Sequence, residues 1–553
     1  MADHTVRIKY TGQQARWNES PVTGRQTTWV KGQTDFVPTE IAKKLSVTGL
    51  FVVGDDVPVY ARNTFDGVVN GVASTRSIKT ALVIGDSITA QSEMALVATS
   101  VTDNGDGTAT VVRNSHSLGV GDPVRMAACP SENLNVVDSK VVSVIDANKF
   151  RIELGGRTHG VTATSGPIIY FPLRRSTRGW FNWMETKIGA SIDPTWCAVG
   201  GATSAQMLSL LEKTSVSSKR DVAFVCIGMN DIYSAGNSIE VIKSNIKALI
   251  NEASKKSNRI VLLTVPPRNS ADTNWSAAKQ SIHNELNRWI YEYGIMIGAT
   301  VIDTWSAVHG GATYVNAQAV NPDPMADFVH DNTHPSMRGA AAIGFSVAQS
   351  LSDEFVRGFK AAHASAIGGS AWNLLPGPDF TAGTNVADGW AVSDTTSGMV
   401  VSSSLAARTV ENDGDACGKN QLLSISYGTA TGNASTRFRC NNIQASLDPG
   451  TVVQLRINFS VSGAAGLVGI ESVMMGARGT DFWMVYSHQL DSNTAPMVGD
   501  FSGCLISPEV VVPSGLTDLD VWVRPYITSA QSSALTLKIW HPELRVVKET
   551  AHA

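Results

Sequence analysis

The amino-acid sequence predicts an α/β domain whose parallel sheet has helices on both faces, with an inserted small β-domain and a C-terminal β-sandwich or jelly roll. Three observations lead to this prediction. Continuous apolar runs, typical of parallel strands buried on both faces, alternate with helical patterns. Residues 96–174 contain β-branched runs separated by turn residues. Residues 371–553 show many short alternating strands and almost no helical pattern.

The α/β domain is predicted from residues 76–95 and 175–362 together. Its first strand is the apolar run Lys79–Ile84, which leads directly into Gly85, Asp86 and Ser87. Ser238 is expected to cap a helix whose apolar residues repeat at helical spacing. A last helix is expected from about Met337 to Lys360. Further buried strands are expected at residues 222–227, 259–265 and 300–303.

The regions outside the α/β domain are predicted to be separate modules. Residues 1–75 are expected to contain a strand at Val6–Tyr10 and a short helix at Pro38–Leu45. A linker is expected at 364–370. Residues 371–553 follow it, and this predicted β-sandwich could bind carbohydrate. Its aromatic side chains are expected mainly in the core, with sugar stacking as the alternative. The candidates for sugar stacking are Trp390, Trp483, Tyr486, Trp522 and Trp540.

Composition excludes several classes of protein. The net charge of −4 lacks the basic excess of a nucleic-acid-binding domain, and no apolar run reaches the length of a membrane helix. The six cysteines do not form a disulfide framework. The first residues lack the apolar segment of a secretory signal, so no signal peptide is expected.

Ser87 is the candidate nucleophile. It follows a buried strand, at the sheet edge where open α/β folds keep their sites. A serine hydroxyl needs a positioned base to remove its proton, and that base needs a partner that fixes its tautomer. Taken alone, the three residues from Gly85 are more often a loop that opens a helix, because tripeptides recur by chance.

Two further segments are expected to supply donors for a developing oxyanion. Residues 228–231 follow one predicted strand, and Gly200 and Gly201 follow another. The side-chain amide of Asn230 and the backbone N–H groups of Gly201 and Ser87 are the candidate donors. The choice between Gly200 and Gly201 stays open.

Residues 327–334 contain two overlapping Asp-x-x-His units. We favour Asp331 and His334 as the catalytic pair, because His334 leads directly into the terminal helix. Asp327 and His330 are expected to shape the cleft. The sequence places no third ligand beside these residues, so a metal site here is only weakly indicated. Neither a metal nor a cofactor is expected.

The order of these segments resembles the SGNH (also called GDSL) hydrolase family. The resemblance covers about 77–95 and 175–360, and residues 84–89 are close to the family form. Residues 179–185 resemble the family's first helix, displaced by the insertion. No asparagine precedes Gly200, which departs from the family pattern. The resemblance implies a flavodoxin-like fold and a serine esterase in which Ser87 attacks, His334 is the base and Asp331 orients it. Ser87, Gly201 and Asn230 would form the oxyanion hole.

Shorter resemblances indicate a substrate class. Residues 5–45 and 108–154 resemble modules of bacteriophage structural and tail proteins, and 373–380 resembles the start of β-sandwich modules in tail fibres and carbohydrate-active enzymes. They imply an enzyme of the phage tail, made in the host cytoplasm, that removes O-acetyl or N-acetyl groups from acylated bacterial cell-surface polysaccharide. The N-terminal module would bind other tail proteins, and a homo-oligomer stays open.

Two alternatives remain at this point. One is a non-catalytic receptor-binding tail protein that uses the hydrolase domain as a scaffold. The other is an intracellular esterase or lysophospholipase, which would leave the β-rich regions without a purpose. Retention of all five candidate catalytic and oxyanion residues favours the enzyme of the phage tail.

Overall fold

The structure is a computed structural model that describes residues 78–548, apart from internal gaps, and seven short strands within residues 1–77. The gaps are residues 128–134, 155–161, 164–165, 310–322, 353–354, 356–372, 376–379, 381, 410–417, 442, 444–447, 479–480, 492–496 and 498. Within the described part, no helix combines the length and the apolar character needed to cross a membrane.

The N-terminal strands form small antiparallel pairings. β1 pairs with both β4 and β5, and it contains the predicted strand at Val6–Tyr10. The predicted helix at Pro38–Leu45 lies outside the described residues except for Pro38, which ends β4. The strands are β1 (Thr5–Tyr10), β2 (Arg16–Asn18), β3 (Thr28–Val30), β4 (Thr34–Pro38), β5 (Phe51–Gly54), β6 (Val68–Val69) and β7 (Val72–Ala73).

A five-stranded parallel sheet lies at the centre of the α/β region, in the order β17-β8-β18-β19-β20. Side chains alternate between its faces, so Leu82 and Ile84 enter one hydrophobic core while Ala81 and Val83 enter another. The predicted α/β fold with a parallel sheet is therefore confirmed. The strands are β8 (Thr80–Gly85), β17 (Asp193–Ala198), β18 (Val222–Cys226), β19 (Ile260–Leu263) and β20 (Thr300–Ile302).

Helices cover both faces of this sheet. Helices α3, α5 and α6 contribute to the core that contains Leu82, and α2 and α8 contribute to the core that contains Val83. The helices are α1 (Ser87–Ala90), α2 (Trp180–Ile188), α3 (Ser204–Lys213), α4 (Met229–Tyr233), α5 (Ile239–Lys256), α6 (Ala277–Met296), α7 (Thr304–His309) and α8 (Met337–Ser350).

The predicted extent of the last helix is wrong. Helix α8 ends at Ser350 rather than near Lys360, and Leu351 caps it by donating its N–H to the carbonyls of Val347 and Gln349. Phe355 then pairs with Ile78 in an isolated parallel bridge and joins the core that contains Val83. Burial of the Phe355 side chain beside the sheet is favoured over a further helical turn, which the apolar pattern alone had suggested.

Among the described residues, eight strands lie between α1 and α2, and we call them the intervening strands. They enclose a core of their own that includes Val101, Val111, Phe150 and Ile152. They begin at Glu93 and end at Ser176, so they span the predicted insertion at 96–174 with two or three residues more at each end. They are β9 (Glu93–Val97), β10 (Ser100–Asp103), β11 (Thr108–Val112), β12 (Pro123–Ala127), β13 (Val136–Asp146), β14 (Lys149–Glu153), β15 (Thr162–Ala163) and β16 (Ile168–Ser176).

In the described part of residues 373–548, twelve further strands form two sheets around one hydrophobic core, and we call them the C-terminal strands. One sheet, β28-β27-β31-β25-β21, continues from the intervening strands because β28 pairs in parallel with β16. The other has the order β22-β23-β32-β26-β29. The strands are β21 (Ala391–Ser393), β22 (Val400–Ala407), β23 (Lys419–Ser426), β24 (Ala434–Ser435), β25 (Arg437–Cys440), β26 (Val452–Ser462), β27 (Leu467–Arg478), β28 (Asp481–Gln489), β29 (Phe501–Ile506), β30 (Val510–Val511), β31 (Leu516–Ile527) and β32 (Leu535–Lys548).

The candidate sugar-stacking aromatics lie mainly inside these strands. Trp390, Trp483 and Trp522 are buried, and the ring of Trp390 stacks on Phe438. Tyr486 and Trp540 are half-buried. Trp390 and Trp483 therefore act as core side chains, as expected for aromatic residues between two sheets. Trp522 alternates with the core residues Val521 and Val523, so its ring lies on the opposite face of β31, where the guanidinium of Arg437 covers it at 4.8 Å.

Candidate active site

Ser87 is placed by a tight turn at the carboxyl end of β8. Asp86 caps the short helix α1, because its carboxylate accepts the backbone N–H of Ile88 at 3.0 Å. A Cβ atom at Gly85 would lie 2.3 Å from Oγ1 of Thr89 and 2.6 Å from the carbonyl oxygen of Cys226. Glycine therefore allows the chain to pass this close to the end of β18, and Ser87 follows as a half-buried side chain.

His334 joins Ser87 to Asp331. The Ser87 hydroxyl lies 2.8 Å from Nε2 of His334, and Nδ1 of the same ring lies 2.7 Å from Oδ2 of Asp331. The next residues lead into α8, which Ser336 caps by accepting the N–H of Gly339 at 3.2 Å. The structure thus brings together the three residues that the sequence predicts as a triad.

The second oxygen of Asp331 anchors the loop itself. Oδ1 accepts the backbone N–H groups of Thr333 at 2.6 Å and His334 at 2.7 Å. Partial burial alone would raise the pKa of Asp331, but these bonds and the one from the His334 ring hold that pKa well below its usual range. Asp331 is therefore a carboxylate at neutral pH, and its two oxygens have separate partners.

The candidate oxyanion donors follow the two strands beside β8. Gly201 lies after β17 and Asn230 lies in α4, after β18, so both come from the carboxyl edge where Ser87 lies. Gly200 donates its N–H to the hydroxyl of Tyr170 at 3.0 Å. Gly201 is exposed and has a positive φ of 77°. Since the N–H of Gly200 already has a protein partner, Gly201 is the better candidate of the two.

Asn230 is held by its neighbour Asp231. The buried carboxylate of Asp231 accepts the N–H of Ser204 at 2.8 Å and its hydroxyl at 2.6 Å, which ties α4 to the start of α3. The Asn230 amide donates to the carbonyl of Ala202 at 3.2 Å. These contacts fix Asn230 relative to the loop that contains Gly201.

The intervening strands also hold this loop. Arg125 is fully buried and donates to the carbonyl of Ala198 at 2.7 Å, while its guanidinium lies 3.9 Å from the centre of the Tyr170 ring. Glu93 forms an ion pair with Arg125. Burial raises the pKa of Tyr170, so its hydroxyl stays protonated at neutral pH, and the oxygen of that hydroxyl accepts the N–H of Gly200. Sequence reasoning missed Arg125 and Tyr170 because they lie in the region predicted as an insertion.

The other Asp-x-x-His unit lies beside the triad. Asp327 is exposed, and its backbone carbonyl accepts the hydroxyl of Ser336. The ring of His330 stacks on that of His334 with 5.7 Å between centres, and its Nδ1 lies 3.8 Å from Asp331. Together, His330, Asp331 and His334 offer three ligand atoms that lie within 4.8 Å of one another. The sequence alone did not place the third of these ligands. Because His334 bonds to Asp331 through one ring nitrogen and to Ser87 through the other, the arrangement suits proton transfer better than metal binding.

Asp86 makes stability depend on pH. Burial raises the pKa of this carboxyl to about 7, whereas it would titrate near 4 in the unfolded chain. Below pH 4 the group is neutral in both states, so its stabilising contribution is complete, and it is lost as the pH rises towards 7. We expect Asp86→Asn, which still caps the helix, to unfold at a higher temperature than the native protein at pH 8. The difference corresponds to roughly 4 kcal/mol at most.

Thermal unfolding at several pH values between 4 and 8 checks this expectation. The gap between Asp86→Asn and the native protein should widen from pH 4 to pH 7 and stay constant above it. A gap that is the same at every pH would show that folding does not raise the pKa of Asp86.

A serine, a histidine and a carboxylate in hydrogen-bonded series, at the carboxyl edge of a parallel sheet, are the arrangement found in serine hydrolases. Residues 157–342, about a third of the chain, match the model of the GDSL-like Lipase/Acylhydrolase family. The chain therefore contains a GDSL-like lipase/acylhydrolase domain. Ser87 precedes the matched range, because the intervening strands separate its segment from the rest of the domain. No curated protein matches this sequence.

Several solved structures are similar to this chain. A member of the lipolytic protein G-D-S-L family from Veillonella parvula has 17% identity over 32% of this chain and 88% of that one, with a TM-score of 0.26. The lipase/acylhydrolase from Enterococcus faecalis has 15% identity over 51% and 98%, with a TM-score of 0.29. Axe2, an acetylxylan esterase from Geobacillus stearothermophilus, has 14% identity over 51% and 96%, with a TM-score of 0.28.

Proposed function

We propose that this protein is a serine esterase that removes acetyl groups from bacterial surface polysaccharide as part of a phage tail. The observation that carries the esterase activity is the continuous hydrogen-bonded series from Ser87 through His334 to Asp331. A scaffold without activity would not need the 2.8 Å contact between a serine hydroxyl and a histidine whose other nitrogen is held by a carboxylate.

The geometry supports acyl transfer in two steps. Nε2 of His334 takes the proton of Ser87 as Oγ attacks the acyl carbon, and the N–H groups of Ser87 and Gly201 and the Asn230 amide stabilise the oxyanion. His334 then passes the proton to the departing sugar oxygen, which leaves an acyl ester on Ser87. Water attacks that ester with His334 as base again, which releases the carboxylic acid and restores the serine.

The exposure of the triad is consistent with a polymeric substrate. The side chain of Asp331 is 44% exposed and that of His334 is 28% exposed, so the reacting groups lie near the protein surface. A side group on a long chain can reach such a site without the chain itself entering a deep cavity. The short resemblances of residues 5–45 and 108–154 to phage proteins support the location on a tail.

Acetate release tests the proposal. We expect the protein to hydrolyse p-nitrophenyl acetate and to release acetate from O-acetylated bacterial polysaccharides, and to release none from the same polysaccharides after chemical de-O-acetylation. Activity on p-nitrophenyl acetate alone would support the esterase activity and reject polysaccharide as the substrate. A protein that is inert on every ester but binds bacterial cells would instead support the receptor-binding alternative.

A further inference from the structure

Arg178 links the C-terminal strands to the loop that holds the triad. It lies between β16 and α2, and its guanidinium donates to Oδ2 of Asp491 from Nε at 3.0 Å and from Nη2 at 2.6 Å. Its Nη1 donates to Nε2 of His330. Asp491 lies just beyond β28, so one arginine contacts both the C-terminal strands and the residue before Asp331.

The contact with Arg178 determines where His330 carries its proton. A guanidinium has five N–H donors and no acceptor, so Nε2 of His330 must be the acceptor. The proton of a neutral His330 is therefore on Nδ1, the nitrogen that lies 3.8 Å from Oδ2 of Asp331. The positive end of the Nδ1–H bond thus lies beside the oxygen that binds His334.

The surroundings of His330 keep it neutral. Burial lowers its pKa, the positive charge of Arg178 lowers it further, and a charged His334 would act in the same direction. The carboxylates of Asp331 and Asp491 act the other way. His334 becomes an imidazolium during turnover. Because the His330 ring that stacks on it is neutral, this imidazolium has no second positive charge against its ring face.

We infer that Asp491, Arg178 and His330 form a positioning relay through which the C-terminal strands fix Asp331 and His334. The inference rests on the proposed function, since it assigns a purpose to residues behind the proposed triad. In the mechanism proposed above, none of these three residues contacts a reacting atom, so all three are positioning residues. The competing explanation is that Arg178 and Asp491 only fasten the C-terminal strands to the rest of the molecule.

Three variants of the full-length protein separate these explanations. We expect Arg178→Ala and His330→Ala each to lower kcat about 10- to 100-fold with little change in KM, as for outer partners of other functional histidines. Asp491→Asn, which retains an acceptor for Arg178, should lower kcat less. Combining Arg178→Ala with His330→Ala should add little to either single change, because both interrupt one pathway.

Arg478→Ala is the matched control. Arg478 lies in β27 and contacts Asp122 of the intervening strands at 3.3 Å, so it is another arginine at a junction between the strand groups. We expect its replacement to lower the unfolding temperature and to leave kcat unchanged. If Arg178→Ala likewise leaves kcat and the pH profile unchanged, Arg178 only attaches the C-terminal strands to the rest of the molecule, and the relay is wrong.

Nitrogen-15 NMR of histidine-labelled protein tests the relay without ester turnover. The His330 signals, assigned by their absence from His330→Ala, should show a protonated Nδ1 and a bare Nε2 at neutral pH. In Arg178→Ala the midpoint of His330 titration should move to higher pH, because a neighbouring cation has been removed. A protonated Nε2 in the native protein, or an unchanged titration, would overturn the relay even if the protein hydrolyses esters. If the spectra are as expected but the protein hydrolyses no ester, the relay is retained and the proposed function is rejected.

Discussion

Replacing Ser87 by alanine is expected to lower kcat/KM for acetyl esters by on the order of 10⁴- to 10⁶-fold. The hydroxyl that lies 2.8 Å from Nε2 of His334 is the oxygen that attacks the acyl carbon in the first step of the proposed mechanism. The variant keeps the backbone N–H of residue 87 and the rest of the oxyanion hole, so a small residual rate should remain. Acetate release measures the loss, and a fluorophosphonate probe should label the native protein at Ser87 and fail to label the variant.

Ser92→Ala is the matched control for this experiment. Ser92 lies five residues further along the same segment, is buried, and its hydroxyl has no hydrogen-bond partner among the described residues. Its removal should leave kcat/KM within about twofold of the native value, since no bond is lost. Equal activity of Ser87→Ala and the native protein would remove Ser87 from the mechanism, whereas equal losses in both variants would indicate damage to the fold of this segment.

Asp331→Asn is expected to lower kcat by about 10⁴-fold, as in other triads of this kind. Oδ1 accepts two backbone N–H groups, so the asparagine oxygen should occupy that position and its NH₂ group should face Nδ1 of His334. Nδ1 would then accept a hydrogen bond, and the ring proton would move to Nε2. A protonated Nε2 cannot take the proton of Ser87. Initial rates with p-nitrophenyl acetate give the size of the loss.

Asp327→Asn provides the control, because it makes the same change in the other Asp-x-x-His unit. Asp327 is exposed and has a positive φ of 68°, a conformation that asparagine also adopts readily. We expect nearly native kcat. A loss as large as that of Asp331→Asn would mean that the two units had been assigned the wrong way round.

The residues of the candidate triad could be predicted because each lies in a local sequence pattern. Ser87 follows an apolar run that reads as a buried strand, and His334 directly precedes the helix that fixes it. Parallel strands end at one edge of a sheet, so segments far apart in sequence had to meet there. The alternation of apolar runs with helical patterns predicted the α/β fold, and the order of the segments then indicated the family.

The supporting residues could not be predicted because no local pattern marks them. Tyr170 binds Gly200 and Arg178 binds Asp491 across 313 positions of the chain, and each is a single residue in an otherwise ordinary stretch. Periodicity also could not decide between Gly200 and Gly201, since only the tertiary contact of Tyr170 distinguishes them. The length of α8 was overestimated for a similar reason, because the bridge between Ile78 and Phe355 is a long-range contact.

The parallel pairing of β16 with β28 has a consequence for how a long substrate would be handled. Arg174 lies opposite Tyr486 and Ser176 opposite Gln489, so backbone hydrogen bonds rather than a flexible tether join the two groups of strands. If one place on the C-terminal strands binds the proposed polysaccharide, the bound polymer would meet Ser87 at an effective concentration fixed by the sheet geometry. Such an enzyme would deacetylate at a constant spacing from the bound unit, and the distribution of acetyl groups left on a partly digested chain would reflect that distance.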